Sequence, residues 1–237
     1  PASVRNAVVT PSWLDKHLHE VGSEAPDLRV VEVDLNPAFY DQRHIPGAVC
    51  IDWQQQLQHA TRRDIPSASV LADLLGERGI TEDSTLILYG DNSNWFAAHL
   101  YWMLSYYGHE EMYLLDGGRE HWLESARPTT TAVPSYPRQS YRTRGPYEHV
   151  RAYRSAVKRA LSKPTKFVDV RLPEEYDGTL LAPPGMTESA QRGGHIPGAK
   201  NIVWSENLQS NGRLKSPEAL AELYRNRGID RDSDVIV

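Results

Sequence analysis

Cysteine is nearly absent: Cys50 is the single one in 237 residues. That excludes an intrachain disulfide and any zinc site built on a cysteine cluster. Long apolar runs are missing as well, since none approaches the ~18 residues that a membrane helix requires. Positive charge is not in excess; 26 Lys and Arg against 31 Asp and Glu leave a net charge of -5. This balance argues against a phosphate-backbone binder and against a polybasic membrane anchor. There is no Walker A sequence, no G-x-S-x-G, no H-E-x-x-H and no G-x-G-x-x-G, so the common nucleotide, hydrolase and zincin readings have no anchor. The first ten residues lack the basic-then-apolar pattern of a secretory signal. The expectation is a cytoplasmic, monomeric protein with no metal, cofactor, nucleic-acid or membrane partner. What is present, 40% apolar and 24% charged residues, reads as a soluble globular chain. At ~150 residues per domain its length suggests about 1.6 domains.

The chain repeats itself. His44-Ile45-Pro46-Gly47-Ala48 recurs as His195-Ile196-Pro197-Gly198-Ala199, 151 residues on. Val31-Glu32-Val33-Asp34 matches Val168-Asp169-Val170-Arg171 at an offset of 137, and a Gly/Pro-rich insertion between Gly178 and Gln191 absorbs the difference. Arg78-Gly79-Ile80 pairs with Arg227-Gly228-Ile229, and the run Asp83–Leu88 with Asp232–Val237, both at offset 149. Four ordered matches at nearly constant spacing imply two copies of one domain.

Each copy has the grammar of an α/β unit. Leu28–Asp34, Ala48–Asp52, Thr85–Tyr89 and Met112–Leu115 read as strands. Ser67–Arg78 reads as a helix with Val70, Leu71, Leu74 and Leu75 on its inner side, and Trp95–Tyr107 as another. In the second copy Ser216 and Pro217 supply a helix cap and first turn; Gly79 and Gly228 suit the left-handed residue that closes a helix. Strands alternating with helices imply parallel sheets covered on both faces. The expected division is residues 1–124 and 148–237, joined by a Thr/Pro/Ser/Arg-rich linker over 125–147.

The candidate chemistry is sparse. In such sheets function sits outside the carboxyl ends of the strands, which singles out Gly90–Trp95. There Asp91 would repel an anionic substrate, and a structural role satisfied by the helix N-terminus is expected. Both histidines of the repeated pentapeptide are expected to tie a Pro-Gly turn to the backbone, having no partners at metal-ligand spacing. Cys50, between Val49 and Ile51, is expected to be a small buried hydrophobe rather than a nucleophile.

Tyr40-x-x-x-His44-Ile45-Pro46-Gly47-Ala48-x-x-Ile51, Asp116-Gly117-Gly118-x-x-x-Trp122 and, in the second copy, Asp169-Val170-Arg171, Glu174-Glu175-Tyr176-x-Gly178 and Gly194–Ala199 together resemble the tandem-domain rhodaneses, the thiosulfate sulfurtransferase family. The resemblance implies two rhodanese-like domains, each a parallel five-stranded sheet with helices on both faces, the first non-catalytic. It implies a sulfurtransferase that moves sulfur from a small anionic donor, thiosulfate or 3-mercaptopyruvate, to cyanide or a thiol acceptor through a cysteine persulfide. The nucleophile would follow the second domain's fourth strand. The offset of 149 carries Asp91 to position 240, past Val237, so the second domain is expected to be truncated before its active-site loop and the 237-residue chain to be inactive. Asp169, Arg171, Glu175 and Arg192 are the expected substrate-binding or loop-supporting residues. The rival expectation is a non-catalytic rhodanese-like module acting in interaction or regulation.

Overall fold

The computed structural model describes residues 7–24, 27–62, 64–183 and 190–237. The chain divides into two compact units, the first comprising the residues through Arg151 together with Asn211–Arg213, the second Ala152–Ser210 and Leu214–Val237.

The first unit is built on five parallel strands: β1 (Val8–Val9), β2 (Leu28–Asp34), β3 (Val49–Asp52), β4 (Thr85–Tyr89) and β5 (Met112–Leu115), in the order β1-β5-β4-β2-β3. Alternate side chains leave β2 on opposite faces. Val31 and Val33 join a core with Leu71, Leu75, Leu100 and Leu104. Leu28 and Val30 join a second core with Leu14, Tyr40 and Trp122. Both faces are therefore covered by helices: α1 (Pro11–His17), α2 (Ala38–Gln42) and α6 (Gly118–Glu124) contribute to the second core, α4 (Ala68–Gly76) and α5 (Asp91–Tyr107) to the first; α3 (Trp53–Gln56) follows β3 directly. The two-residue edge strand β1 is too short to carry a periodic signal and was not expected from the sequence.

On α4 the expected inner face needs one correction. Leu71, Leu74 and Leu75 are buried, but Val70 is 52% exposed: a step of 100° from Leu71 carries it off the apolar stripe. The start of that helix is as expected, with Ser67 Oγ accepting from Val70 N at 3.4 Å. The stretch after α6 is an extended strap laid along the first unit. Thr130 bridges His44 through paired backbone bonds of 2.8 and 2.9 Å, Tyr136 Oη donates to Gly47 O at 2.8 Å, and Tyr141 Oη lies 3.1 Å from His109 Nδ1.

The second unit has three parallel strands among its described residues, β6 (Lys166–Asp169), β7 (Lys200–Asn201) and β8 (Val235–Ile236), in the order β7-β6-β8. This differs from the five expected for each domain. Phe167 packs with Ala160 and Ala199 on one face, under α7 (Arg154–Ala160) and α8 (Pro173–Asp177); Val168 packs with Ile202 and Ile229 on the other, under α9 (Pro217–Arg225). Ser216 Oγ caps α9 through Ala219 N at 3.2 Å, and Gly228 (φ +76°) is left-handed as expected.

The two sheets share their registers. Glu32 sits opposite Cys50, and Asp169 opposite Asn201; Val30 faces Ile87, and Phe167 faces Ile236. Each pairing maps onto the other under the sequence offsets.

Candidate functional site

At the carboxyl end of β6 the chain carries an ion pair whose partners are two residues apart. Arg171 Nη2 donates to Asp169 Oδ2 at 2.6 Å and Nε to Oδ1 at 2.9 Å; the Arg171 backbone N adds a bond to Oδ1 at 3.1 Å. A residue that leaves a strand can fold its side chain back on the preceding carboxylate only if the backbone turns there. Asn201 on β7 holds that turn, its Nδ2 donating to Asp169 O at 3.0 Å and to Arg171 O at 2.9 Å. Burial raises the Asp169 carboxyl, but hydrogen bonds and charge from Arg171 outweigh it and hold the group below its ordinary value. The bond to Asp169 correspondingly raises Arg171. Such a two-point pair fixes the guanidinium in one orientation.

Arg171 and Asp169 line a cavity of about 760 Å³ together with Arg154, Arg192 and His195. Arg171 also donates to Gly194 O at 2.9 Å, which ties the returning loop to the strand end. The neck of that loop is narrow: a Cβ on Gly178 (φ +90°) would lie 2.6 Å from Gly194 N, so both the conformation and the close approach require glycine. Residues 184–189, within the expected insertion, lie outside the described residues.

Of the expected site residues, the structure brings Asp169, Arg171 and Arg192 to one cavity. Glu175 is not among the lining residues: it is buried, and its carboxylate accepts from Leu172 N at 3.2 Å, closing the first turn of α8. Arg154 was missed. It stands at the first position of a short helix, twelve residues before the start of β6, and nothing local in the sequence points to a cavity there.

The repeated histidines have the same structural role in both units. His44 Nδ1 meets Tyr40 O at 2.8 Å and stacks on the Tyr40 ring at 3.7 Å; His195 Nδ1 meets Tyr176 O at 2.8 Å and stacks at 3.6 Å. Each tyrosine then donates to the alanine carbonyl of the pentapeptide, Tyr40 to Ala48 at 2.7 Å and Tyr176 to Ala199 at 2.8 Å. Cys50 is half-buried, and burial, followed by the nearby carboxylates of Asp34 and Glu32, pushes its thiol up to about 12. That is the opposite of what a nucleophilic thiol requires.

The counterpart site in the first unit is closed. Glu32, Asp34, Asp91 and Arg119 are all buried. Arg119 Nη1 donates to Glu32 Oε1 at 2.5 Å, Tyr89 Oη donates to the other Glu32 oxygen, and Asp91 N donates to Asp34 Oδ1 at 2.8 Å. Burial pushes Asp34 up to about 9, aided by the neighbouring Glu32 and Asp91 charges. Asp34 is thus a neutral acid at pH 7. Asp91 is structural, as expected, but its partner is different. Its Oδ1 accepts from Leu35 N at 3.3 Å, on the loop after β2. The reason is local: Asn92, Ser93 and Asn94 are all left-handed, so the regular helix begins only at Trp95. Gly90 permits this, since a Cβ there would lie 2.0 Å from Val33 O.

A family model described as the rhodanese-like domain matches residues 10–125 and again 154–237. The chain belongs to the rhodanese-like family. Among the relatives of this rhodanese-like chain is a Haloferax volcanii protein provisionally named a thiosulfate sulfurtransferase, 49% identical over 232 residues that cover 98% of this chain and 81% of the relative. The sulfur carrier protein TtuD of Thermus thermophilus is 43% identical over 235 residues, covering 97% of this chain and 81% of that protein. Among solved structures, Escherichia coli SseA, described with the 3-mercaptopyruvate enzymes, superposes with a TM-score of 0.84 over 98% of this chain and 88% of that one, at 24% identity. At that identity the likeness speaks for the fold. No helix among the described residues is long and apolar enough to cross a membrane.

Proposed function

We propose that this rhodanese-like chain is the body of a sulfurtransferase that takes sulfane sulfur from thiosulfate and gives it to cyanide or a thiol. The observation that carries the reading is the rigid Asp169–Arg171 pair, which presents a guanidinium at the rim of a cavity outside the carboxyl end of β6. Relatives provisionally named for thiosulfate transfer at up to 49% identity support the same class. A cysteine thiolate on the loop after β8 attacks the outer sulfur of the donor. The S–S bond breaks, and sulfite leaves with the electron pair. The acceptor then attacks the outer persulfide sulfur and frees the thiolate. The offset that relates the two units puts this cysteine near position 240. Arg171 and Arg192 would draw the anionic donor to the cavity, while Asp169 and Glu175 hold the strand end and α8 in place. In the first unit the same loop position holds Asp91, which has no sulfur to transfer.

Cys50 is the chain's one thiol, and burial pushes it away from the thiolate form that attack requires, so the 237-residue chain alone is expected to give no thiosulfate-to-cyanide turnover. The natural sequence extended past Val237 is expected to turn over, to lose activity when its loop cysteine becomes serine, and to keep it in Cys50→Ser. Turnover by the 237-residue chain that disappears in Cys50→Ser would overturn the assignment. An extended protein with an intact loop cysteine and no turnover would sink the thiosulfate reading.

A further inference from the structure

In an acidic chain, residues 151–166 stand apart: they contain six cations and no Asp or Glu. Arg151 is used internally, paired with Asp64 at 2.8 Å. Arg154, Lys158, Arg159, Lys163 and Lys166 are exposed and form no ion pair among the described residues. They lie on and just beyond α7. That helix buries Ala160 against Phe167 and turns Arg154, Ser155, Lys158 and Arg159 outward.

Helix stability accounts for only part of this pattern. Lys158 and Arg159 in the last turn complement the negative end of the helix dipole. Arg154 at the first helical position has the wrong sign for its end. No acidic residue shares that turn, and the N-cap Tyr153 makes no side-chain capping bond. The helix dipole therefore does not account for Arg154. Arg154 is also where the strip meets the cavity of the same unit. Two exposed large side chains flank the cations, Tyr153 at 46% and Leu161 at 45%. Exposed aromatic and aliphatic surface beside positive charge suits a folded or peptide partner better than a phosphate backbone, which would call on charge alone.

We propose that the basic segment from Arg154 to Lys166, which spans α7 and the start of β6, is the docking surface for an acidic protein that receives the sulfur at the adjoining cavity. The identity of the cargo rests on the sulfurtransferase reading above; the docking does not. Complementary charge of this kind speeds and orients encounter, and it weakens with salt.

The test uses the protein with its full native sequence and the triple variant Lys158→Gln/Arg159→Gln/Lys163→Gln, with hydrogen exchange in β6 as the check on folding. A fluorescein-labelled, cysteine-free, Glu-rich peptide is titrated by anisotropy. The unaltered protein is expected to bind it about tenfold more tightly than the variant, with the difference shrinking as salt rises. With a cysteine-bearing version as sulfur acceptor, the variant is expected to raise KM about tenfold at unchanged kcat, while thiosulfate-to-cyanide kinetics stay the same. Equal peptide affinities, or equal KM values, would overturn the proposal. So would tighter variant-sensitive binding to single-stranded RNA or to phosphatidylserine vesicles than to the peptide. Absence of cyanide turnover in the unaltered protein would strike the sulfurtransferase reading instead, leaving the anisotropy result to judge the docking surface.

Discussion

The ends of β2 and β6 occupy matching places in two sheets of identical register, yet their chemistry is opposite. Position for position, Glu32 corresponds to Asp169 and Asp34 to Arg171. In the first unit an acid replaces the arginine, so the local carboxylates lack a partner at hand. The cation has to come from Arg119, 87 residues away in sequence, and the whole group is buried. In the second unit the carboxylate finds its cation two residues on and the pair faces a cavity. Matching backbone pairings thus carry different charge patterns at the two strand ends, a second acid beside buried Glu32 in one and an arginine beside Asp169 in the other.

The comparison can be broken most severely at Arg119. Arg119→Met leaves Glu32 buried without its counter-ion and is expected to destabilise the first unit by about 3–5 kcal/mol. Hydrogen exchange in β2 would report the loss, and unchanged exchange there would refute the account; β6 amides serve as the reference.

A second test sets the two units against each other in pH. Asp34 is raised to about 9 in the folded protein. Between about pH 4 and pH 9 the native state therefore holds a proton that the unfolded chain has released, and stability of the first unit falls as pH rises through this window. Asp34→Asn is expected to flatten that fall, because its amide can donate to Glu32 while its oxygen still accepts from Asp91 N. Asp169 is lowered, so its contribution has the other sign. It is present above the ordinary carboxylate range and lost as pH falls through the folded value; Asp169→Asn is expected to remove about 1 kcal/mol at pH 7 and nothing at low pH. Protection factors of β2 and β6 amides, with intrinsic exchange at each pH divided out, that move in the same direction would contradict at least one of the two assignments.

Smaller effects are expected where the units agree. Tyr40→Phe and Tyr176→Phe each lose one hydroxyl bond to an alanine carbonyl, about 1 kcal/mol. Tyr40 is expected to show the greater loss because it is the more buried. Thermal melts of the two single variants would rank them. At the small end, Val70→Lys on the exposed side of α4 is expected to shift stability by less than about 0.5 kcal/mol, whereas a large loss on urea unfolding would return Val70 to the core.

Much of this was legible in the residues. β2, β4 and β5 have the bounds that their apolar runs suggest, and the Ser216 cap acts as read, because strands and helix ends are written in local sequence. Val70 was misplaced because a four-residue apolar set was assigned to one face without resolving the 100° step. The acidic core was harder to see. Glu32 and Asp34 stand in plain view inside an apolar strand, but the sequence does not reveal that Arg119 and Tyr89 converge on them.

By itself, then, the sequence determined the repeat, the parallel α/β grammar and the Pro-Gly turns of the repeated pentapeptide. These depend on spacing, periodicity and residue type, which are properties of neighbours along the chain. The tertiary structure decided which charges meet. The four residues from Tyr40 to His44 and the nineteen from Tyr176 to His195 close the same stacked pair, and the partner of a buried carboxylate can lie anywhere in the chain. Electrostatic energy depends on distance and burial in space, and neither quantity is carried by sequence separation.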